Sequence, residues 1–160
     1  MTTTDVAPAQ VSIDIDAPPE RIYDLVADLP GMGRWSPENR GGKWLGTATG
    51  AEVGARFRGR NRHGIAFWTT TCRIVAADRG RELAWEVSAG PLPVSRWRYE
   101  FTPRPDGGTT VVESTEDRRG RVLRWSSPWT IGIGDRRGEN MKNMQVTLER
   151  LKAAAEAPAT

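Results

Sequence analysis

Few side chains in this chain can do acid–base or nucleophilic chemistry near neutral pH. His63 is the only histidine and Cys72 the only cysteine among the 160 residues. A histidine can act as a general acid or base at this pH, whereas a cysteine nucleophile needs a neighbouring base that lowers its pKa. The sequence around Cys72 supplies no such base, so we expect a buried structural thiol there. One histidine and one cysteine do not make a metal site, and none is predicted.

The sequence motifs of several enzyme classes are missing from the chain. No serine stands in a G-x-S-x-G elbow, no G-x-x-x-x-G-K-[ST] loop is present, and no Rossmann glycine fingerprint follows a strand. Hydrolase, nucleotide-binding and dinucleotide-binding functions are therefore disfavoured, and no cofactor is predicted.

An alternating arginine pattern runs through the segment GARFRGRNRHG. Successive side chains of a strand point to opposite faces of a sheet. One face therefore carries Arg56, Arg58, Arg60 and Arg62, and the other carries Phe57, Asn61 and His63. We expect the arginines to face water and the second set to point inward, with Asn61 and His63 near the mouth of an internal chamber. Alternatively, Asn61 and His63 are residues near a loop that hydrogen-bond to the backbone.

The arginine face also permits a function of another class. Together with Trp44 or Trp68, it could neutralise phosphates and stack bases, as single-strand-binding proteins do. However, 23 basic residues are nearly balanced by 20 acidic ones, for a net charge of +3. A solvated strand face explains the pattern more simply. Nucleic-acid binding is therefore the less favoured alternative, and no nucleic-acid partner is expected.

Two further segments each place aromatic side chains on one strand face. In GRELAWEV the alternation groups Trp85 with aliphatic residues, and in SRWRYEF it groups Trp97 and Tyr99 with Phe101. These aromatics either line a pocket or fill a solid core. Tyr99 is the most informative of them, because a buried phenol normally needs a hydrogen-bond partner and can orient a ligand carbonyl.

The segment TTVVESTED leaves the orientation of Glu113 open. In one phase Val111 and Glu113 point inward. In the other phase Val112 and Ser114 point inward and Glu113 is solvated. An inward Glu113 would need a partner such as Arg137, since an isolated buried carboxylate is very costly.

The elements that position these residues are a strand, a short helix and a long meander. Val11, Ile13 and Ile15 alternate with polar residues, which is typical of a half-buried strand. Pro18 or Pro19 begins a helix that Pro30-Gly31 ends, and residues 33–37 predict a second short helical turn. Gly, Pro and Asp signals then delimit six antiparallel strands over residues 42–48, 54–63, 66–77, 82–89, 94–103 and 109–118.

The last predicted element is a long helix whose two halves differ. Ser127-Pro128 offers a cap and a first-turn proline, but nearby glycines weaken the first turns, so the helix is firm only from about Asp135. At about 100° per residue, one stripe collects Ile133, Arg137, Asn140, Met141, Met144, Leu148, Leu151 and Ala155. The stripe is apolar in its C-terminal half and polar where Arg137 and Asn140 lie.

This order of elements, with the segments APPERIYDLVADL, GRWSP, RGRNRHG, GRELAWEV, WRYEF and DRRG, resembles the polyketide cyclase/dehydrase family of the START and Bet v 1-like (SRPBCC) superfamily. The resemblance covers roughly residues 9–156. It implies an α+β helix-grip fold, in which a curved antiparallel sheet wraps around the long C-terminal helix and leaves a cavity for a hydrophobic ligand. We expect a single domain over residues 10–156, preceded by a disordered tail at residues 1–9.

The resemblance and the inward residues predict binding of a small aromatic, polyketide-like or lipid-like molecule, with or without cyclase or dehydratase activity. In an enzyme, His63 is the expected general acid/base and Arg137 the stabiliser of an enolate oxygen. The candidate ligand-binding residues are Phe57, Asn61, Trp85, Trp97, Tyr99, Glu113, Asn140, Met141 and Met144. The alternative is a non-enzymatic carrier or sensor for lipids or quinones.

The chain shows no sign of membrane insertion or export. No apolar run approaches the roughly 20 residues that cross a bilayer, and the start MTTTDVAPAQ lacks the basic and apolar regions of a secretory signal. We therefore expect a cytoplasmic monomer or homodimer.

Overall fold

A seven-stranded sheet and a long C-terminal helix dominate the computed structural model, which describes residues 8–120 and 136–158. The strands are β1 Ala9–Ile15, β2 Asn39–Trp44, β3 Arg56–His63, β4 Ala66–Asp78, β5 Glu82–Ala89, β6 Leu92–Pro103 and β7 Thr109–Asp117. The helices are α1 Pro19–Ala27, a 3-10 helix at Leu29–Arg34, and α2 Arg136–Glu156.

All neighbouring strands pair antiparallel, in the order β1-β7-β6-β5-β4-β3-β2. This confirms the predicted meander from β2 to β7, and β1 closes it by pairing with β7. β1 begins at Ala9, which is buried opposite Thr115, so the strand includes the last residue of the predicted tail. Curved around α2, the sheet has the helix-grip α+β architecture that the resemblance implied.

The first meander strand lies earlier in the chain than the predicted 42–48. A register shift between Asn39 and Gly42 marks a bulge, and Gly41 adopts a φ of 81° there. Close packing requires glycine at position 42, since a Cβ there would overlap the carbonyl oxygen of Arg58. The absence of a side chain at Gly42 therefore lets β2 approach β3 closely, next to the bulge.

The predicted helix start at Pro19 is confirmed, but α1 ends at Ala27 rather than at Pro30-Gly31. Asp28 interrupts the helix, and its side chain accepts a hydrogen bond from the backbone N–H of Gly31 at 3.3 Å. The 3-10 helix follows at once, so the second helical turn begins before the predicted 33–37 and overlaps it only at residues 33 and 34. Trp35 then donates from Nε1 to the carbonyl oxygen of Leu25 at 3.2 Å, which ties this turn back to α1.

The core lies between the sheet, α1 and α2. α2 packs mainly against β1 and buries one stripe of Met144, Thr147, Leu148, Leu151 and Ala155. The apolar half of the predicted stripe is therefore confirmed, whereas Arg137 and Met141 are exposed. Ser127-Pro128 and Ile133, which the sequence assigned to the helix start and stripe, lie outside the described residues. Among the described helices, none is long and apolar enough to cross a membrane.

Candidate functional site

A cavity of about 120 Å³ lies between the sheet and α2. The 3-10 helix, the loop before β2, strands β2 to β7 and α2 all contribute residues to its lining. Its lining includes Met32, Ser36, Glu38, Asn39, Asn61, Trp68, Thr70, Cys72, Trp85, Val87, Val94, Ser95, Trp97, Tyr99, Glu113, Arg136, Asn143, Met144 and Thr147.

One wall of the cavity is aromatic. Trp85 and Trp97 are opposite each other in the β5–β6 register, and the ring of Tyr99 stacks on Trp85 at 5.7 Å between centroids. The indole N–H of Trp97 donates to Ser95 Oγ at 3.1 Å. Trp68 adds a third indole from β4. Because aromatic faces are large and apolar, this wall suits a flat or ring-shaped guest.

The polar end of the cavity is formed by Tyr99 and Glu113. The phenol of Tyr99 donates to Glu113 Oε1 at 2.6 Å, and the Glu113 side chain is only 3% exposed. Among the described residues, Oε2 of Glu113 has no hydrogen-bond partner. The structure therefore places Glu113 in its inward phase, and its partner is Tyr99 rather than Arg137.

Burial sets the protonation of this pair. Loss of water raises the pKa of Glu113 to about 8, although the Tyr99 hydrogen bond opposes the shift. The pKa of Tyr99 is also raised well above its usual value, by burial and by the neighbouring carboxyl. Glu113 is thus a neutral carboxylic acid at pH 7, able to donate a hydrogen bond or a proton.

Other polar groups of the lining are mostly satisfied within the protein. Asn61 Nδ2 donates to Thr70 Oγ1 at 3.2 Å, and Thr147 Oγ1 donates to the carbonyl oxygen of Asn143 at 2.7 Å. Thr115, next to the cavity on the same face of β7 as Glu113, is buried and its Oγ1 has no partner among the described residues. Among the described residues of the sheet, the buried side-chain atoms without a hydrogen-bond partner are therefore Glu113 Oε2 and Thr115 Oγ1, both on β7.

An ion pair stands at the border between the cavity and an outer cleft. Arg136, the first residue of α2, donates two hydrogen bonds to Glu38, at 2.8 and 2.7 Å. The guanidinium of Arg136 also lies 6.0 Å from the ring of Trp68. Glu38 and Asn143 line both spaces. Because Glu38 lies in the loop before β2, the Arg136–Glu38 ion pair holds the start of α2 against that loop.

The outer cleft has a volume of about 390 Å³ and a charged lining. His63 lies here, with Nδ1 3.7 Å from a carboxylate oxygen of Glu139. The remaining lining is Pro37, Glu38, Arg40, Arg62, Gly64 and Asn143. His63 is thus at the strand end, as predicted, but on the rim rather than among the residues of the inner cavity.

The structure brings six of the eleven predicted site residues into the inner cavity: Asn61, Trp85, Trp97, Tyr99, Glu113 and Met144. The other five lie elsewhere. Phe57 is buried against Trp44, and Asn140 is half-buried with no described partner for its Oδ1. His63 lines the outer cleft, Arg137 is exposed, and Met141 is 37% exposed.

Several lining residues were not among the predicted site residues, although the sequence had offered Trp68 as a partner of the arginine face and Cys72 as a buried thiol. Trp68, Thr70 and Cys72 share one face of β4 and had a signal, since they alternate with residues that face water. For Arg136 the sequence carried only a weak signal. It adjoins the predicted Arg137, and a shift of one residue rotates a helical side chain by about 100°.

Cys72, possible metal ligands and the arginines of β3 are the other features that the sequence analysis considered. Cys72 is buried as expected, and burial raises the pKa of its thiol to about 12, so it is not a nucleophile at neutral pH. Within residues 8–120 and 136–158 no group of three or more His, Cys, Asp or Glu side chains could hold a metal ion. The four arginines of β3 are exposed, and Arg62 lies 5.0 Å from the ring of Phe67.

Several solved structures of other proteins share this fold. The ginseng major latex-like protein 151 from Panax ginseng superposes with a TM-score of 0.71 at 9% identity, covering 94% of this chain and 98% of that one. The di-domain ARO/CYC BexL from the BE-7585A biosynthetic pathway gives a TM-score of 0.71 at 18% identity, covering 95% of this chain and 50% of that one. A polyketide-cyclase-like protein from Corynebacterium glutamicum gives 0.57 at 26% identity, covering 92% and 90%.

Sequence comparison supplies the family. No curated protein matches the chain significantly. The sequence profile described as "Polyketide cyclase / dehydrase and lipid transport" matches residues 7–156, nearly the whole chain and the whole of the cavity-forming fold. The resemblance seen in the sequence is therefore confirmed, and the chain belongs to the polyketide cyclase/dehydrase and lipid transport family.

Proposed function

We propose that this protein binds a small, mainly hydrophobic molecule with an aromatic or polyketide-like ring in the cavity between the sheet and α2. The observation that carries the proposal is the aromatic wall of the cavity, in which three indoles and the Tyr99 ring face polar side chains such as Glu113 and Asn61. Largely apolar concave sites with a few convergent polar groups are the usual form of a ligand pocket.

The volume of the cavity limits the size of the guest. An apolar cavity of roughly 150 Å³ binds benzene in another protein, and this one measures about 120 Å³. The space in this conformation therefore fits a single-ring compound. A folded polyketide chain or a lipid would require α2 or the loop before β2 to move outward.

Binding without turnover is the role that needs the fewest assumptions. The groups assigned to acid–base and enolate chemistry from the sequence, His63 and Arg137, are not part of the inner lining. A carrier or sensor requires only the cavity and a means of access.

Cyclisation or dehydration is the second candidate, and Glu113 favours it. A neutral carboxylic acid beside an apolar chamber can donate a proton to a carbonyl oxygen while water is excluded. In this version His63 would act from the outer cleft, and its replacement by alanine would slow turnover of a ligand that still binds. Arg137 lines neither space, and its replacement by alanine tests whether it takes part at all.

Native mass spectrometry of freshly purified protein tests the binding role. We expect a co-purifying small molecule, or saturable binding of an added single-ring aromatic, in the wild type. Val87→Phe fills the lining and should abolish the adduct, because the new ring occupies the cavity. Val112→Phe, on β7, makes the same change on the opposite face of the sheet and is the matched control. Equal binding by the wild type and Val87→Phe would place the ligand elsewhere and refute the proposal.

A further inference from the structure

The buried carboxyl group of Glu113 faces the cavity with one oxygen committed and one free. Oε1 accepts the hydrogen bond of Tyr99 at 2.6 Å, and Oε2 has no hydrogen-bond partner among the described residues. No described cation pairs with either oxygen. A buried polar atom without a partner is costly, and native structures leave few of them. The free oxygen is therefore open to a hydrogen bond with an atom of a bound molecule.

The surroundings determine which form of the carboxyl group occupies this position. A carboxylate enclosed by carbon and unpaired with a cation is much less stable than the neutral acid. Since Tyr99 donates to Oε1, the proton of the acid lies on Oε2, where nothing described accepts it. The free position of Glu113 is thus a hydrogen-bond donor.

We propose that Glu113 donates a hydrogen bond from Oε2 to a carbonyl oxygen of the bound molecule, so that the ligand is a neutral ring compound carrying a ketone, quinone or similar acceptor. This inference rests on the proposed ligand-binding function and specifies the class of ligand. The aromatic wall of Trp85 and Trp97 contacts the ring of the ligand, and Glu113, held by Tyr99, donates the hydrogen bond to its carbonyl oxygen.

The pH dependence of binding follows from the groups around Glu113. Val11 is its register partner on β1 and Tyr99 its partner on β6, while Arg136 and Asn143 face the cavity from α2. Glu38 and Cys72 are the other ionisable groups of the lining. The pKa of Cys72, at about 12, and the raised pKa of Tyr99 keep both groups neutral up to pH 9, whereas the pKa of Glu113, at about 8, lies between pH 7 and 9.

Three single-ring probes of nearly equal shape test the inference by calorimetry: acetophenone, ethylbenzene and 1-phenylethylammonium. Each is titrated into the wild type, Glu113→Gln and Glu113→Leu, with Thr115→Val as a control that alters a neighbouring buried polar group. Hydrophobicity differs between the probes, so the measured quantity is the ratio of acetophenone to ethylbenzene affinity in each protein, compared as a double-mutant cycle.

We expect this ratio to be about 5- to 20-fold larger in the wild type than in Glu113→Leu, which corresponds to one neutral hydrogen bond. Thr115→Val should keep the wild-type ratio, and Glu113→Gln should keep most of it through its amide N–H. The affinity of the wild type for acetophenone should fall about tenfold between pH 7 and 9, as the protonated fraction falls. The affinity of Glu113→Gln should stay constant, which tests the inference even if Glu113→Leu does not fold.

The outcomes separate the two proposals. Equal ratios in the wild type and Glu113→Leu, with both probes bound, would overturn the carbonyl inference and leave ligand binding intact. Tightest binding of 1-phenylethylammonium, with release of a proton, would overturn it in favour of a cationic ligand paired with a carboxylate. Failure of every probe to bind the wild type would count against the ligand-binding function itself.

Discussion

Tyr99 and Glu113 are register partners on β6 and β7, and the phenol of Tyr99 lies 2.6 Å from Glu113 Oε1 on the buried face of the sheet. The carboxyl group of Glu113 lines the cavity, and no cation among the described residues forms an ion pair with it. As a neutral acid, Glu113 offers the cavity a hydrogen-bond donor beside the aromatic wall.

Glu113 should make the protein less stable as the pH rises from about 4.5 to about 8. Its pKa in the folded protein is raised from 4.5 to about 8, so in this window the folded state retains a proton that the unfolded state has lost. The free energy of unfolding should fall by up to about 1.4 kcal/mol per pH unit and level off above pH 8. Urea unfolding of the wild type and Glu113→Gln across pH 5–9 measures the difference. Parallel curves for the two proteins would contradict the assignment.

Tyr99→Phe should raise the pKa of Glu113 further, because the phenol hydrogen bond is the contact that opposes the effect of burial. The loss of a buried hydrogen bond should also cost about 1–2 kcal/mol of stability. NMR titration of the glutamate carboxyl carbons reports the pKa. Tyr23→Phe is the control, since Tyr23 is another buried tyrosine of the same core, packed edge-on to Phe101. An unchanged Glu113 pKa in Tyr99→Phe would show that the phenol does not hold the carboxyl group.

Cys72 should be almost inert toward thiol reagents in the folded protein. It is the only cysteine in the chain, it lines the cavity, and burial raises its pKa to about 12. Alkylation followed by mass spectrometry should therefore proceed only through opening of the structure, and it should slow further when acetophenone occupies the cavity. Fast labelling at neutral pH, with the same rate in the presence of the ligand, would mean that the cavity is freely open.

The Arg136–Glu38 pair should matter more than a surface ion pair of similar geometry. Its side chains are 21% and 13% exposed, whereas those of Arg79 and Asp24 are 61% and 53% exposed. Arg136→Met leaves Glu38 with an unpaired, largely buried charge and should cost about 1–3 kcal/mol. It should also speed ligand dissociation by loosening the start of α2. Arg79→Met, the control, should change neither stability nor dissociation noticeably. If Arg136→Met and Arg79→Met lowered the thermal unfolding temperature equally, the Arg136–Glu38 pair would have no special role.

Local sequence patterns located the strands and the helices, and the family resemblance supplied their helix-grip arrangement. Alternation identified the strands, and punctuation by Gly, Pro and Asp delimited them, because each pattern reflects the geometry of its own segment. The main shifts came where a bulge or a side-chain cap intervened, as at Gly42 in β2 and Asp28 after α1.

The site was harder to predict because it depends on contacts between distant segments. Both phases of Glu113 fit the alternation of β7, and only the register with Tyr99 on β6 selects the inward one. The rotation of α2 decided between Arg136 and Arg137, and a one-residue offset moves a side chain by about 100°. His63 faces the predicted side of β3 but lies beside Glu139, in the outer cleft.

The central claim is that a small guest occupies the space between the sheet and α2, and the methionines test it most directly. Met32 and Met144 line the cavity, whereas Met141 is 37% exposed outside it. NMR of protein labelled with 13C in its methionine methyl groups, titrated with acetophenone, should shift the Met32 and Met144 signals saturably and leave the Met141 signal in place. A shift confined to Met141, or none at all up to the solubility of the probe, would contradict the account.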